Sequence, residues 1–282
     1  MKLIASWLSS ATLAFTFALT SHPCFSANAK LLATPGVATI EGAAGGGIVP
    51  WAQLAGYAGR DEISFGGFCS RSQVKDFSLS ACGLQINVLD RVELAVTKQK
   101  FTVEPLNIDI NQNIISAKVR LYGDIVYSRW PQVSLGLQAK TLEDAWVVDA
   151  FGANSDTGTD IYIAASKLHL AAIAGRNTFW NITVRSTKAN QLGLLGFGGN
   201  NNSRTLQIET STALFINRHW AMGIEYRQKP NNLKTPEDDW ADFFVAWFPT
   251  KNINITAAFL NLGEIAGIQD QTGWHLSIMG NY

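Results

Sequence analysis

Two sets of side chains in this sequence have the types and spacings needed for catalysis or for the selection of ions. His275 and Ser277 stand two residues apart near the C-terminus, which allows a histidine to activate a serine on the same face of a strand. Nine charged residues occupy polar positions in alternating segments, where rings of charge bias the passage of ions. They are Glu93, Lys118, Arg120, Lys140, Arg185, Glu209, Glu225, Arg227 and Asp242.

Extended strands must position these residues. Apolar and polar residues alternate with a period of two over segments of about 9 to 11 residues, the length of a tilted membrane strand. Clear examples are 115–122, 132–140 and 220–227. In a transmembrane barrel the apolar phase faces lipid and the polar phase faces the lumen. The pattern therefore predicts an all-β, antiparallel transmembrane barrel with the nine charges inside.

The C-terminus strengthens this interpretation. The last ten residues, GWHLSIMGNY, form an alternating strand that ends in an aromatic residue, a pattern typical of outer-membrane barrels. We expect the barrel assembly machinery to read a signal made of Gly273, Trp274, Leu276, Ile278 and Tyr282. Nine Trp, fifteen Phe and six Tyr, many at segment ends, fit aromatic girdles at the lipid boundary.

The N-terminus predicts secretion. Lys2, an apolar stretch and small residues up to Ala29 are typical of a signal peptide spanning 1–29 that is removed. Residues 30–282 then form one domain, and they contain no apolar run of spanning-helix length. Since 1–29 holds one basic and no acidic residue, 21 basic and 22 acidic side chains remain. That balance gives no case for binding nucleic acid.

The number of strands is open between fourteen and twelve. Thirteen segments can be traced, and single-chain bacterial barrels have even counts. A first strand from Gly36 to Gly45 gives fourteen, which we prefer. In the alternative, residues 30–50 fill the lumen as a plug, the segment around Trp51 does not span, and twelve strands remain. Long and short connections alternate along the chain, except that 168–176 is long for a short-turn position.

Other motifs carry less chemistry. Cys69 and Cys82 flank a turn near 72–76 at similar distances, which favours a cross-strand disulfide over two free thiols. His169 and His219 have no metal ligands at a suitable spacing, so we expect no metal. The glycines of GLLGFGGNNN match no nucleotide-binding fingerprint, and no cofactor is expected. They are better suited to an external loop.

Several stretches resemble a known family. IEGAAGGGIVPWA, DRVELAV, KVRLYGDIVY, STKANQLGLLGFGG and FFVAWFP are similar to an uncharacterised family of Gram-negative outer-membrane proteins, the domain of unknown function 3034. The resemblance runs along nearly all of 30–282. It implies location in the cell outer membrane, in contact with its lipid. It implies no catalytic or transport activity, because the family has no assigned activity.

Three functions follow from these patterns. The leading hypothesis is a channel or transporter for ions or small solutes. A filled barrel that acts through external loops such as 188–203 and 229–240 is the alternative. A lipid hydrolase using His275 and Ser277 is remote, because the pair faces the lumen and not the bilayer; we expect two ordinary polar lumen residues and no enzyme.

Overall fold

The chain forms a closed antiparallel barrel of twelve strands. The computed structural model describes residues 30–235 and 237–282, so the predicted signal peptide, 1–29, lies outside the described residues. A small hairpin, β1 (Val37–Ala38) and β2 (Ala44–Gly45), precedes the barrel. The barrel strands are β3 (Ile63–Val74), β4 (Phe77–Val88), β5 (Val92–Val103), β6 (Ile108–Tyr122), β7 (Gln132–Leu142), β8 (Thr157–Ile173), β9 (Arg176–Thr187), β10 (Thr205–Phe215), β11 (Trp220–Arg227), β12 (Trp240–Trp247), β13 (Ile253–Asn261) and β14 (Thr272–Asn281).

The last strand closes the barrel. Each strand pairs with its neighbours in sequence, and β14 pairs with β3 in a register that runs from Gly273 opposite Val74 to Asn281 opposite Gly66. Trp274, Leu276 and Ile278 point outward along β14, and Tyr282 lies just beyond its end. Closure leaves no unpaired strand edge, which a bilayer would not tolerate.

The predicted phases are present in the strands. In β6, Ile115 is 65% exposed while Lys118 is 1% exposed, and the same alternation holds along 132–140 and 220–227. The outward face is therefore apolar and the inward face polar, as a membrane barrel requires. Trp220 and Trp247 stack on the outward surface at one end, with ring centroids 5.7 Å apart, where a lipid-boundary girdle would lie.

The four longest connections between barrel strands lie at one end, which also carries the short connections 75–76 and 104–107, while the nine-residue connection 123–131 lies at the other end. We call the end with the connections 143–156, 188–204, 228–239 and 262–271 the long-loop end, and the other the short-turn end. The connection predicted at 168–176 is shorter than expected, because β8 continues to Ile173 and β9 begins at Arg176. In the described part of the chain, one short helix, α1 (Trp146–Phe151), and two 3₁₀ turns, Glu104–Leu106 and Asn190–Gly193, lie in long-loop-end connections.

No helix among the described residues is long and apolar enough to cross a membrane.

The preference for fourteen strands is wrong, since residues 30–62 add no strand to the barrel. Instead, residues 30–58, which we call the inner segment, lie inside the barrel, and 33–58 are all buried. The segment is rich in Gly and Ala, and glycine weakens a strand because it has no side chain to pack. It therefore lacks the large apolar face that a lipid-exposed strand needs.

Cys69 and Cys82 are directly opposite each other in the register of β3 and β4 and form a disulfide. Both residues are exposed on the outward face, so this covalent link lies on the apolar surface and not in the lumen.

Ile115→Lys tests the two faces. A charge near the middle of the lipid face costs about 2–4 kcal/mol of stability, while one near the interface costs about 0–1 kcal/mol. We therefore expect Ile115→Lys to destabilise the barrel far more than Leu121→Lys, which is on the same face near the short-turn end. Urea titrations of folding into liposomes measure the difference. Equal losses in the two variants would contradict the assignment of faces.

Candidate functional site

The inner segment meets the wall through a hairpin whose tip carries Glu41. β1 and β2 pair around residues 39–43, closed by hydrogen bonds from Thr39 N to Ala43 O at 2.9 Å and from Gly42 N to Thr39 O at 2.9 Å. Gly42 has φ of +91°, and a Cβ there would lie 1.9 Å from Thr97 Oγ1 on the wall. Glycine is therefore required for the tip to approach the wall.

Wall side chains supply the hydrogen bonds that the irregular inner backbone lacks. Gln85 donates to Gly42 O at 2.6 Å and Gln99 donates to Ile40 O at 2.8 Å. Asn87, Gln132, Ser134 and Thr183 likewise donate to carbonyls within residues 50–55, and Ser166 Oγ accepts a hydrogen bond from Ala52 N. Buried backbone groups need such partners, so the polar phase of the strands has a direct structural use.

Glu41 lies among three basic side chains from three strands. Its Oε2 is 2.6 Å from Arg227 Nη1 and 3.5 Å from Arg185 Nη2, and its Oε1 pairs with Lys140 Nζ. All four side chains are at most 3% exposed. Burial opposes ionisation of Glu41, but the charges of Arg227, Lys140 and Arg185 outweigh it and hold the pKa of this carboxyl well below its usual range.

Two wall carboxylates complete this group, which we call the Glu41 cluster. Arg185 Nε lies 2.5 Å from Glu209 Oε1, and Arg185 Nη1 lies 3.3 Å from Asp160 Oδ2. Asp160 also lies 2.7 Å from Lys140 Nζ, and Glu209 lies 3.4 Å from Arg227 Nε. The cluster therefore holds three basic and three acidic groups, and its formal charge balances only with Glu41 present.

A second polar contact lies deeper toward the short-turn end. Lys118 Nζ is 3.2 Å from Glu93 Oε2 and donates to Ala44 O at 2.9 Å. Glu93 in turn accepts hydrogen bonds from Ala44 N at 3.0 Å and Ala55 N at 2.7 Å. This pair thus holds the inner segment at two points, Ala44 and Ala55, against β5 and β6.

Glu225 binds the inner segment, and among residues 30–235 and 237–282 it forms no salt bridge with a basic side chain. It accepts hydrogen bonds from Ile48 N at 2.8 Å, from Trp51 Nε1 at 3.3 Å and from Ser211 Oγ at 2.6 Å. A Cβ on Gly46 would lie 2.0 Å from the Glu225 carboxylate, so a larger residue here would have to displace that side chain. Asp242 is the register partner of Glu225 on β12 and is buried.

Arg120 differs from the other predicted lumen charges. It pairs with Asp90 and with Asp124 Oδ2 at 3.1 Å, and it donates to Gly123 O at 2.6 Å. These partners belong to connections at the short-turn end, so Arg120 closes that rim. Lys30, at the start of the inner segment, lies 2.8 Å from the same Asp90.

The long-loop end is covered by its own connections. Residues 189–198 are buried, and Leu192 O accepts a hydrogen bond from Lys140 Nζ at 3.0 Å. Lys229 Nζ donates to Gln191 Oε1 at 3.1 Å, and Gln191 N donates to Glu237 Oε2 at 3.4 Å. The two loops 188–204 and 228–239 therefore join above the Glu41 cluster.

His275 and Ser277 both face the lumen and are 2% exposed. His275 Nδ1 lies 2.9 Å from Ser72 Oγ, while within the described residues neither His275 Nε2 nor Ser277 Oγ has a hydrogen-bond partner. The predicted serine is thus not the partner of the histidine. Within residues 30–235 and 237–282, no group of His, Cys, Asp and Glu is arranged to hold a metal ion.

The spaces between the inner segment and the wall are small. A cavity of about 160 Å³ lies at the short-turn rim beside Lys30, Arg120 and Asp124. Cavities of about 20 Å³ and 30 Å³ lie beside Trp51 and beside Trp240. The inner segment and loop 188–204 thus fill most of the lumen.

Sequence reasoning did not single out Glu41 or Asp160 as site residues. Asp160 lies just after the connection predicted at 141–158, near the start of β8. Glu41 is the only acidic residue in the sequence 30–58, and that isolation within a Gly- and Ala-rich segment is the signal that could have identified it.

The described residues define a closed antiparallel β-barrel, and solved porin structures have a similar fold. The KdgM porin matches with a TM-score of 0.51 at 8% identity, over 77% of this chain and 99% of that one. A second KdgM structure, described as a complex with disordered oligogalacturonate, gives 0.50 at 7% identity, with the same coverage of 77% and 99%. The outer membrane protein Omp33 of Acinetobacter baumannii gives 0.46 at 9% identity, over 79% and 100%.

The family model described as "Protein of unknown function (DUF3034)" matches residues 34–279. The chain therefore belongs to the DUF3034 family, which confirms the resemblance seen in the sequence. No protein of curated function matches it.

Glu237 and Lys229 predict pH-dependent docking of loop 228–239. Burial raises the pKa of Glu237 to about 7, above its ordinary 4.5, and lowers the pKa of Lys229 to about 8. A raised carboxyl pKa adds stability that is fully present below pH 4.5 and is lost as pH rises through about 7. Below pH 8 Lys229 stays charged, so we expect docking to weaken from pH 5 to 7.5.

Proteolytic cleavage after the exposed Lys234 measures this docking. The rate for the wild-type protein is divided by the rate for Glu237→Gln at each pH, which removes the pH dependence of the protease. The ratio should rise between pH 5 and 7.5, and a flat ratio would show that Glu237 does not control the loop.

Proposed function

We propose that the protein is an outer-membrane channel for ions or small solutes, held closed by its inner segment. Its place is the outer membrane of a Gram-negative cell, where the lipid contacts the apolar face and the barrel assembly machinery reads β14. Likeness to the KdgM porin supports the fold on which this proposal rests.

The proposal is based on the polarity of the wall, which has more buried polar groups than the inner segment can satisfy with hydrogen bonds. Buried atoms without a hydrogen-bond partner among the described residues occur in Gln85, Gln138, Asp242, Asn254, Thr256 and Ser277. A permanently filled core gains stability when such groups are replaced by apolar ones of similar size. If the wall also faces water when the channel is open, these polar groups are hydrated in that state, which explains why they are present.

The contacts at the hairpin tip are of a kind that water and ions can replace. Glu41, Ile40 and Gly42 meet the wall through ion pairs and through bonds from amide side chains. Displacement of the inner segment, beginning at this tip, would expose the charged lining of β5 to β12 and connect the two ends of the barrel.

A filled barrel that acts through its loops is the second candidate. The packing of 188–204 against 228–239 favours it, since Asn232 Nδ2 donates to Asn190 Oδ1 at 3.1 Å and Lys229 bonds to Gln191. We assign no catalytic role to His275 and Ser277.

Glu41→Gln in the full-length protein tests the channel. The variant keeps the shape of the side chain but leaves three basic groups facing two acidic ones. Breaking a buried ion pair costs about 3–5 kcal/mol, and each 1.4 kcal/mol is about a tenfold change in population. We expect the open fraction in planar-bilayer recordings to increase at least about tenfold.

The matched control is Glu104→Gln, the same change at an exposed residue that pairs weakly with Arg71 at 3.9 Å. It should behave like the wild-type protein. Heat-modifiable migration on a gel confirms that each sample is a folded barrel. If folded Glu41→Gln and wild-type protein are both silent, the channel proposal fails and the loop-acting barrel is favoured.

A further inference from the structure

The Glu41 cluster has the features of a ligand site that is already occupied. Arg227 and Arg185 approach one oxygen of the Glu41 carboxylate, and Lys140 approaches the other. Converging charge-assisted donors around both oxygens are the arrangement by which proteins recognise a free carboxylate. Here the carboxylate belongs to the inner segment, which is the part that must move in the proposed channel.

We propose that Lys140, Arg185 and Arg227 form a binding site for the carboxylate of a small anionic solute, and that Glu41 occupies this site as a built-in competitor. The inference rests on the proposed channel function, and it assigns that channel a substrate class: small organic carboxylates.

The three basic groups are positioned without help from Glu41. Glu209 lies 2.5 Å from Arg185 Nε and 3.4 Å from Arg227 Nε, and Asp160 lies 2.7 Å from Lys140. Arg185 also donates to Gln138 Oε1 at 2.6 Å and lies 5.1 Å over the ring of Tyr162. The wall thus preorganises the site, and that lowers the cost of binding a ligand there.

The charge balance selects an anion. When the tip leaves, Lys140, Arg185 and Arg227 face only Asp160 and Glu209, so one positive charge lacks a partner in a buried setting. A monocarboxylate restores the balance that Glu41 provides, whereas a neutral solute does not.

Other contacts of the inner segment do not share this character. At Glu93 and Glu225 the wall supplies the carboxylate and the inner segment supplies backbone N–H donors, from Ala44, Ala55 and Ile48. Those points have no excess of basic groups to offer an anion. The carboxylate site is therefore confined to the hairpin tip.

The site also lies where a solute would arrive. Lys140 is two residues from the long-loop end of β7, and Arg227 is the last residue of β11. Loop 188–204 lies above it, with Leu192 O bonded to Lys140 Nζ at 3.0 Å. A solute that enters between loops 188–204 and 228–239 therefore reaches this site directly beneath them and competes there with Glu41.

Chemical rescue of full-length Glu41→Ala tests the site independently of conduction. The substitution removes the atoms of an acetate ion from the cluster. We expect the variant to unfold at a lower temperature in lipid vesicles, and added sodium acetate to recover at least about half of that loss by mass action. Acetamide, which has the same shape without the charge, should recover none, and sodium chloride at equal ionic strength should be at least about tenfold less effective.

Trp51→Phe is the control variant. It removes the indole hydrogen bonds to Ser211 at 2.9 Å and to Glu225, which loosens the inner segment without changing the charge of the Glu41 cluster. Acetate should not stabilise this variant or the wild-type protein. Equal effects of acetate and acetamide on Glu41→Ala, or of acetate on both variants, would overturn the carboxylate site.

A measurement on the wild-type protein covers the case in which Glu41→Ala does not fold. Sodium gluconate should raise the open fraction in planar bilayers above the level in sorbitol with sodium chloride at equal ionic strength, because gluconate displaces Glu41. Conduction that is equal in the two solutions would overturn the carboxylate site and leave the channel standing. Acetate rescue of Glu41→Ala in a barrel that never conducts would instead overturn the channel.

Discussion

A buried charge must have a partner, and the interior of this barrel is organised around that constraint. The inner segment cannot pair Glu41 by itself, and the wall cannot balance Lys140, Arg185 and Arg227 by itself. Each supplies what the other lacks. In a low-dielectric interior an unpaired member of this group would cost several kcal/mol, so the hairpin tip and the strands form one electrostatic unit.

The same reciprocity explains the polar phase of the strands. An irregular backbone at membrane depth is tolerated only where protein satisfies it, and amide and hydroxyl side chains such as Gln85, Gln99 and Thr183 do so here. On the outer side the same strands present Ile115 and its apolar neighbours to lipid. The alternation with a period of two therefore places apolar side chains on the hydrocarbon side and polar side chains on the interior side of each strand.

Much of the fold could be predicted because this periodicity is local. It placed 115–121, 132–140 and 220–227 in strands with the correct faces, and the C-terminal pattern indicated the strand that closes the barrel. Tyr122, predicted on the lumen face, is exposed because a bulge shifts the register there. The number of strands could not be predicted in this way, since 36–45 is extended in type but too poor in large side chains to face lipid. The partners of Glu41 lie 99 to 186 residues away along the chain, a relation that only the closed barrel creates.

The two parts of the inner segment are held by different forces, and this difference determines which part can respond to a solute. Trp51 packs on Phe179 with ring centroids 4.3 Å apart and belongs to the apolar core, where no ion can substitute for it. Glu41, at the hairpin tip, is held by charge, for which another anion can compete. Ile40, next to Glu41, also packs in the apolar core, so charge acts together with apolar contact to hold the tip. In the proposed channel a competing carboxylate therefore acts on the tip, whereas the Trp51 region is held by apolar packing that an anion does not weaken.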